Sequence, residues 1–321
     1  MIEVKNLTKR YGNHTAVSDL SFTIEKGKIY GFLGPNGAGK STTMNIMTGC
    51  LSATSGEVRI GGYDIFEEPQ EAKRLIGYLP EIPPLYIDRT PREYLTFVAR
   101  AKKVAEKDIP AEISSALEQT GTTHVGDRLI KNLSKGYKQR VGIAQALIGN
   151  PEVIILDEPT VGLDPLQIIE IRELIQRLGE EHTVILSSHI LSEVQAVCDE
   201  VLIIVHGKMI ACDTPENLEK TFASTAAVSL TVAADGEVCE KILGEVADIT
   251  SVEIEEAEGK CRIHLETKRD DDDALCSDIF FAFSRAGKAI LRLDMERASL
   301  EDIFIRIAGE KENKQEGDDS Q

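Results

Sequence analysis

Along the first two thirds of the chain, short apolar runs alternate with longer stretches in which apolar residues recur at helical spacing. Residues 28–33, 153–156, 183–187 and 201–205 are dominated by Ile, Val and Leu with few polar interruptions, as expected of strands buried on both faces of a parallel sheet. Such strands need crossover helices, so this part of the chain is expected to form an α/β sheet domain. Between residues 82 and 150 the strand signal stops. Helix-like stretches at 92–104, 111–120 and 138–148 replace it and predict a helical subdomain inserted into the sheet domain.

After Lys220 the pattern changes again. It reads as a strand at 226–232, a helix at 237–246, strands at 251–255 and 261–266, a helix at 272–286 and a strand at 289–294. That order, βαββαβ, is the split pattern of ferredoxin-like α+β domains. A final helix is expected over 299–308, and the charged segment 310–321 has too few apolar residues to fold. The expected division is therefore a sheet domain at 1–220, a small α+β domain at 221–309 and a disordered acidic tail at 310–321.

Charge narrows the possible partners. The net charge is −18, and twelve of those eighteen charges fall after Lys220, so a broad nucleic-acid footprint or a polybasic membrane anchor is excluded. The six cysteines form no Cys-x-x-Cys pair, which argues against a zinc site or a disulfide scaffold and for a reducing, cytoplasmic setting. Cys261 and His264 are three apart on one expected strand and should face opposite sides of it, which disfavours a metal pair. The amino terminus lacks the apolar core of a signal peptide, and no apolar run is long enough to span a bilayer. Any action at a membrane would pass through a partner.

Two segments carry recognisable chemistry. Gly34-Pro35-Asn36-Gly37-Ala38-Gly39-Lys40-Ser41-Thr42 follows an apolar strand and opens a helix-like stretch, the setting a phosphate-binding loop requires. Glycines let backbone N–H groups converge on phosphate oxygens, Lys40 places a compact cation against the β and γ phosphates, and the Ser41 hydroxyl can ligate Mg²⁺. The second segment, Val153 through Leu156 followed by Asp157 and Glu158, ends a buried strand in two carboxylates at the strand edge where such sheets bind ligands. Asp157 is expected to hold the magnesium shell and Glu158 to polarise the attacking water.

With these two segments, Leu133-Ser134-Lys135-Gly136-Tyr137-Lys138-Gln139-Arg140, Gly162-Leu163-Asp164-Pro165 and Ser187-Ser188-His189 follow the order and spacing of the ATP-binding cassette (ABC) ATPases. The resemblance covers about residues 1–220. It implies a P-loop NTPase fold and a head-to-tail homodimer, with two ATP molecules sandwiched so that Ser134 and Gly136 of each copy reach the other's nucleotide. It also implies that His189 contacts the γ-phosphate and orients the water and Glu158, that Asp164 lies in a loop crossing the dimer, and that Tyr11 stacks on adenine. Two departures stand out: Lys135 and Tyr137 replace Gly and Gln of the family's Leu-Ser-Gly-Gly-Gln motif, and Glu81 replaces a Gln that senses magnesium. Lys135 either adds a cation near phosphate or is solvated. A carboxylate at Glu81 can still ligate Mg²⁺. The kinked segment 82–86 either docks a partner's helix or packs within the subdomain.

Leu79-Pro80-Glu81, the 133–140 segment and Ser299-Leu300-Glu301-Asp302-Ile303-Phe304 narrow the resemblance to ATPase subunits of multicomponent exporters with separate permeases, the group that includes antibiotic-resistance and gliding-motility transporters. The function implied is ATP hydrolysis on the cytoplasmic face of a membrane, driving an integral-membrane permease, with the domain at 221–309 as an accessory. The alternative is a soluble ABC-type ATPase of DNA repair or translation, without a permease.

Overall fold

The computed structural model describes residues 1–222, 226–257, 260–267, 269 and 271–297; the helix expected at 299–308 and the acidic tail lie outside them. The chain divides into two compact units, Met1–Pro215 and a second that begins at Glu216.

The first unit opens with β1 (Ile2–Tyr11), β2 (His14–Ile24), β3 (Ile29–Leu33), α1 (Lys40–Met47), β4 (Ser55–Ile60), β5 (Tyr63–Asp64), α2 (Pro69–Arg74) and β6 (Ile76–Leu79). The helical region follows as α3 (Pro91–Ala101), α4 (Ile109–Gln119) and α5 (Lys135–Leu147). The chain then returns to the sheet through β7 (Val153–Leu156), α6 (Pro165–Gly179), β8 (Thr183–Ser188), α7 (Leu191–Gln195), β9 (Glu200–Val205) and β10 (Lys208–Asp213). Helix α8 (Pro215–Phe222) follows.

Six strands form the central sheet in the order β10-β9-β3-β8-β7-β6. All neighbours are parallel except the β9–β10 hairpin. The apolar runs lie where expected, because residues on both faces of β3, β7 and β8 are buried. A second sheet, β2-β1-β4-β5, is wholly antiparallel and adds to the α/β domain an element that the apolar pattern does not single out. Register shifts in β1 interrupt the period-two alternation, and charged residues fall between its buried Ile2, Val4 and Leu7. The strand pattern is therefore blurred. Met44, Ile46 and Met47 of α1 share one core with Leu20, Phe22 and Ile24 of β2 and with Phe32, Ile155, Ile185 and Ile204 of the central sheet.

The helical subdomain is set by caps and one half-buried lysine. Thr90 and Glu93 form a reciprocal capping box at the start of α3, and Ser134 accepts the N–H of Tyr137 at 3.3 Å to cap α5. At the other end of α5, Lys102 Nζ donates to Ile148 O at 2.6 Å and to Ala146 O at 3.3 Å. Burial pulls its ammonium down to about 8, against an opposing pull from Glu112.

The second unit comprises β11 (Ala226–Val232), α9 (Gly236–Leu243), β12 (Ile249–Ala257), β13 (Lys260–Thr267), α10 (Asp272–Arg285) and β14 (Ile290–Arg297). Its strands order as β12-β13-β11-β14, all antiparallel. Val228, Leu230, Ile263 and Leu265 of the sheet and Cys239, Leu275, Ile279 and Phe283 of the two helices share its core. β13 alternates strictly. Cys261 is buried, its Sγ 2.9 Å from Ala234 O, while His264 lies on the open face, 3.3 Å from Ser229 Oγ.

Two stability measurements follow. A Cβ on Gly77 of β6 would fall 2.2 Å from Ala146 O, so Gly77→Ala should lower the unfolding free energy by about 1–3 kcal/mol in urea titration. Because folding lowers the Lys102 ammonium from 10.5 to about 8, the unfolded chain binds the extra proton between those values and stability rises with pH across that window. Relative to Lys102→Met, the parental chain should gain up to about 3 kcal/mol over it, read as the difference between the two stability–pH curves.

Candidate nucleotide site

Four consecutive strands of the central sheet, β3, β8, β7 and β6, end at one edge. Their ladders pair Leu33 with Ser188, Leu186 with Leu156, and Leu156 with Leu79, so the segments that follow them emerge side by side. Those segments carry the phosphate-loop residues, His189, Asp157 and Glu158, and Glu81 respectively. A cleft of about 490 Å³ opens there, lined by Tyr11, His14, Ala16, residues 36–42, Glu81, Glu158, Val161 and His189. Ala16 follows Tyr11 at the spacing by which the resemblance places that tyrosine, whereas His14 and Val161 carry no signature that sequence reasoning could find.

The loop from Gly34 to Gly39 turns tightly around Lys40. Gly37 and Gly39 have φ of +80° and +102°, and a Cβ on Gly39 would meet Ala16 O at 2.6 Å, so both strain and space demand glycine. Gly39 precedes α1 without a side-chain cap, which directs the first N–H groups of the helix toward an anion. Gly34 and Pro35 do not line the cleft; their carbonyls accept from Lys40 Nζ at 2.6 and 3.3 Å. The hairpin between β9 and β10 braces the loop from outside. Gly207 N donates to Ala38 O at 2.9 Å, and its own carbonyl accepts from Ser18 N at 2.8 Å.

Lys40 and Glu158 are both buried, with Nζ 3.6 Å from Oε1. Burial lowers the Lys40 ammonium despite the charges of Glu158, Asp157 and Glu81, and burial raises the Glu158 carboxyl despite Lys40 and His189. Each partner moves away from its charged form, so desolvation outweighs their mutual attraction. Glu158 thereby becomes a better proton acceptor than an exposed carboxylate. His189 Nδ1 stands 3.0 Å from Glu158 Oε2. The Glu158 backbone has φ of +48°, a conformation costing a non-glycine residue about 1 kcal/mol. Ser187 holds it there, accepting Glu158 N–H at 2.8 Å while donating to Asp157 Oδ1 at 2.6 Å.

Ser41 Oγ lies 3.1 Å from Asp157 Oδ1. Ser41 and Glu81 line the cleft and Asp157 is buried without lining it; their hydroxyl and carboxylate oxygens are hard donors of the kind that could form part of a Mg²⁺ shell, the rest coming from phosphates. Tyr11 lines the cleft half exposed, with Lys9 Nζ 5.2 Å from its ring centroid.

Ser134, Gly136 and Asp164 do not line this cleft. They form a second cluster where the first turns of α5 and α6 meet. Asp164 caps α6 by accepting Gln167 N–H at 2.9 Å, and a Cβ on Gly136 would fall 2.6 Å from Gln167 Oε1. Lys135 extends over the loop, its Nζ 2.0 Å from where a Gly162 Cβ would stand. Tyr137 meets His124 Nε2 through its hydroxyl at 3.1 Å, so this departure from the family motif is used inside the helical subdomain.

A phosphate loop, an adjacent carboxylate pair and an inserted helical subdomain on a mostly parallel sheet define an ATPase of the P-loop class. The ABC transporter family model matches residues 17–161. The chain is 35% identical over 311 residues to the bacitracin transport ATP-binding protein BcrA of Bacillus licheniformis, across 96% of this chain and 97% of that protein. It is 33% identical over 310 residues to the linearmycin resistance ATP-binding protein LnrL of Bacillus subtilis, across 96% and 98%. A solved ATP-binding cassette, captured as a post-hydrolysis dimer with ADP and Pi, superposes with a TM-score of 0.61 at 25% identity, covering 67% of this chain and 98% of that one. The chain belongs to the ABC transporter ATP-binding proteins and is the ATP-hydrolysing subunit of a multicomponent transporter. A permease-free ATPase is not favoured by relatives named for transport and resistance.

The bracing of the loop is testable away from the chemistry. A Cβ on Gly207 would meet Ala16 O at 2.6 Å, at a φ of +73°. Gly207→Ala should displace residues 38 and 39 and weaken ATP-analogue binding by about tenfold, a loss of roughly 1.4 kcal/mol in fluorescence titration.

Proposed function

We propose that this chain powers export of an antibiotic-like compound through a separate permease, by closing and reopening a homodimer around two ATP molecules. The observation that carries the catalytic part is the buried Lys40–Glu158 pair with the exposed His189 beside it on one cleft. In this reading residues 34–42 cradle the triphosphate, with Lys40 against the β and γ phosphates, and Tyr11 stacks on adenine. Glu158 accepts the proton of the attacking water as that water approaches the γ-phosphate, and His189 fixes the carboxylate's orientation while donating toward the phosphate oxygens. Ser41, Asp157 and Glu81 would hold Mg²⁺, which supplies charge neutralisation at the phosphate oxygens. Ser134, Gly136 and Asp164, grouped away from the cleft, would complete the nucleotide site of a second copy.

Export is supported by the transport and resistance names of BcrA and LnrL, and dimer closure by the dimeric cassette in its ADP and Pi state. Among the described residues no helix is long and apolar enough to cross a membrane, which agrees with a peripheral position on the cytoplasmic face beneath a permease. The helical subdomain offers it a surface. Ile82 is 82% exposed, and Ile87 and Phe97 are also exposed. Tyr86 leans on Tyr94 and Phe97, with centroids at 5.6 and 5.2 Å, so the 82–86 segment both packs and presents apolar surface.

Lys40→Ala should abolish ATP binding. Glu158→Gln should keep ATP binding, lower turnover at least about a hundredfold, and shift the chain to a dimer in ATP by gel filtration. Parental turnover by the purified Glu158→Gln variant would overturn the catalytic reading; an inactive variant that stays monomeric in ATP would overturn the sandwich dimer alone.

A further inference from the structure

Beside the cleft, and outside the roles assigned above, lies a buried carboxylate. Glu193 sits on α7, only 5% exposed, and among the described residues it takes part in no ion pair. Its Oε2 accepts two hydroxyls, Thr160 Oγ1 at 2.6 Å and Ser188 Oγ at 3.0 Å. Ser188 Oγ in turn accepts Ile190 N–H at 3.0 Å. Thr160 and Ser188 are themselves buried.

The placement of those two hydroxyls gives the carboxylate its meaning. Thr160 is two residues after Glu158, and Ser188 immediately precedes His189. One oxygen of Glu193 therefore joins the loop that carries the base to the loop that carries its imidazole partner. Ser187 makes a bridge on the other side of these loops, through Asp157 Oδ1 and the Glu158 N–H. The Glu158 backbone has φ of +48° and would relax if either tie failed. Burying a carboxylate without a cation is costly, and charge-assisted hydroxyl hydrogen bonds at these short distances are the compensation available.

We propose that Glu193 is a positioning residue for ATP hydrolysis, holding the Glu158 and His189 loops in register through Thr160 and Ser188. The proposal rests on the roles given to Glu158 and His189 above. It touches neither the phosphate loop nor the adenine contact, so it separates binding from turnover. Misplacing a base by about 1 Å is enough to lower a rate a hundredfold.

Thr160→Val is the cleanest probe, because it keeps the shape of the side chain and removes the donor. In the full-length chain it should lower kcat by about ten- to a hundredfold while KM and ATP-analogue affinity stay near parental; the thermal midpoint should fall by a few degrees with the chain still folded at the assay temperature, because a buried carboxylate loses one of two hydroxyl donors. Thr160→Ser should restore most of the rate. Glu193→Ala should match Thr160→Val, and the double variant should be no slower than the worse single one, since both cut the same tie. If Glu193→Ala does not fold, Thr160→Val and Ser188→Ala carry the test. Parental kcat in Thr160→Val, or a rate loss matched by an equal loss of affinity or by unfolding at the assay temperature, overturns the proposal. Glu158→Gln, run alongside, distinguishes the failures: if it is inactive while Thr160→Val is fully active, the base assignment stands and only the tie falls; if it is fully active, both fall.

Discussion

The structure depends on keeping one ammonium and one carboxylate buried together at the end of a parallel sheet. A lone charge in that position would cost several kcal/mol. Lys40 is accommodated because two loop carbonyls accept its protons and Glu158 lies 3.6 Å away. Glu158 is accommodated by Lys40 and His189, and by the Ser187 hydroxyl that holds its backbone. Even so, burial dominates both groups and biases each toward neutrality. That bias belongs to a site that must accept a proton and meet a highly charged substrate, and it would be a defect in a purely structural ion pair.

Sheet register delivers this arrangement. The ladder pairs Leu33 with Ser188 and Leu186 with Leu156, and a slip by one residue would turn every side chain to the opposite face. The surroundings fix the loops once the strands have ended. The β9–β10 hairpin braces Ala38 through Gly207, Ser187 braces Glu158, and Glu193 ties Thr160 to Ser188. Each brace joins a loop to an element some thirty or more positions away in sequence. Gly207, Ser187 and Glu193 thus shape the nucleotide cleft without lining it.

The second unit is built on different principles. Its sheet is antiparallel with one polar face, carrying Arg262, His264 and Glu266 outward from β13 while Cys261, Ile263 and Leu265 enter the core. The relatives BcrA and LnrL match across nearly the full length of the chain, this unit included. Among the described residues of this unit no charged side chain is buried, in contrast to Lys40 and Glu158 of the first.

Much of this could be read before folding. The buried strands announced themselves because parallel strands are apolar on both faces, and β13 did so because strict alternation survives where one face meets water. Lys40, Asp157 and Glu158 were legible because phosphate loops and strand-end carboxylates are contiguous in sequence. The antiparallel sheet was missed, since the register shifts in β1 erase the alternation that would betray it. His14, Val161 and Gly207 were equally invisible, as was the tie of Thr160 and Ser188 through Glu193. Their identity matters only through contacts with residues up to a hundred or more positions away. The linear chain determined which groups could do chemistry, because reactivity resides in side-chain type and local spacing. Only tertiary structure decided which of them share a cleft, how deeply they are desolvated, and that Ser134, Gly136 and Asp164 gather apart from it, because burial and register are properties of neighbours that sequence does not place side by side.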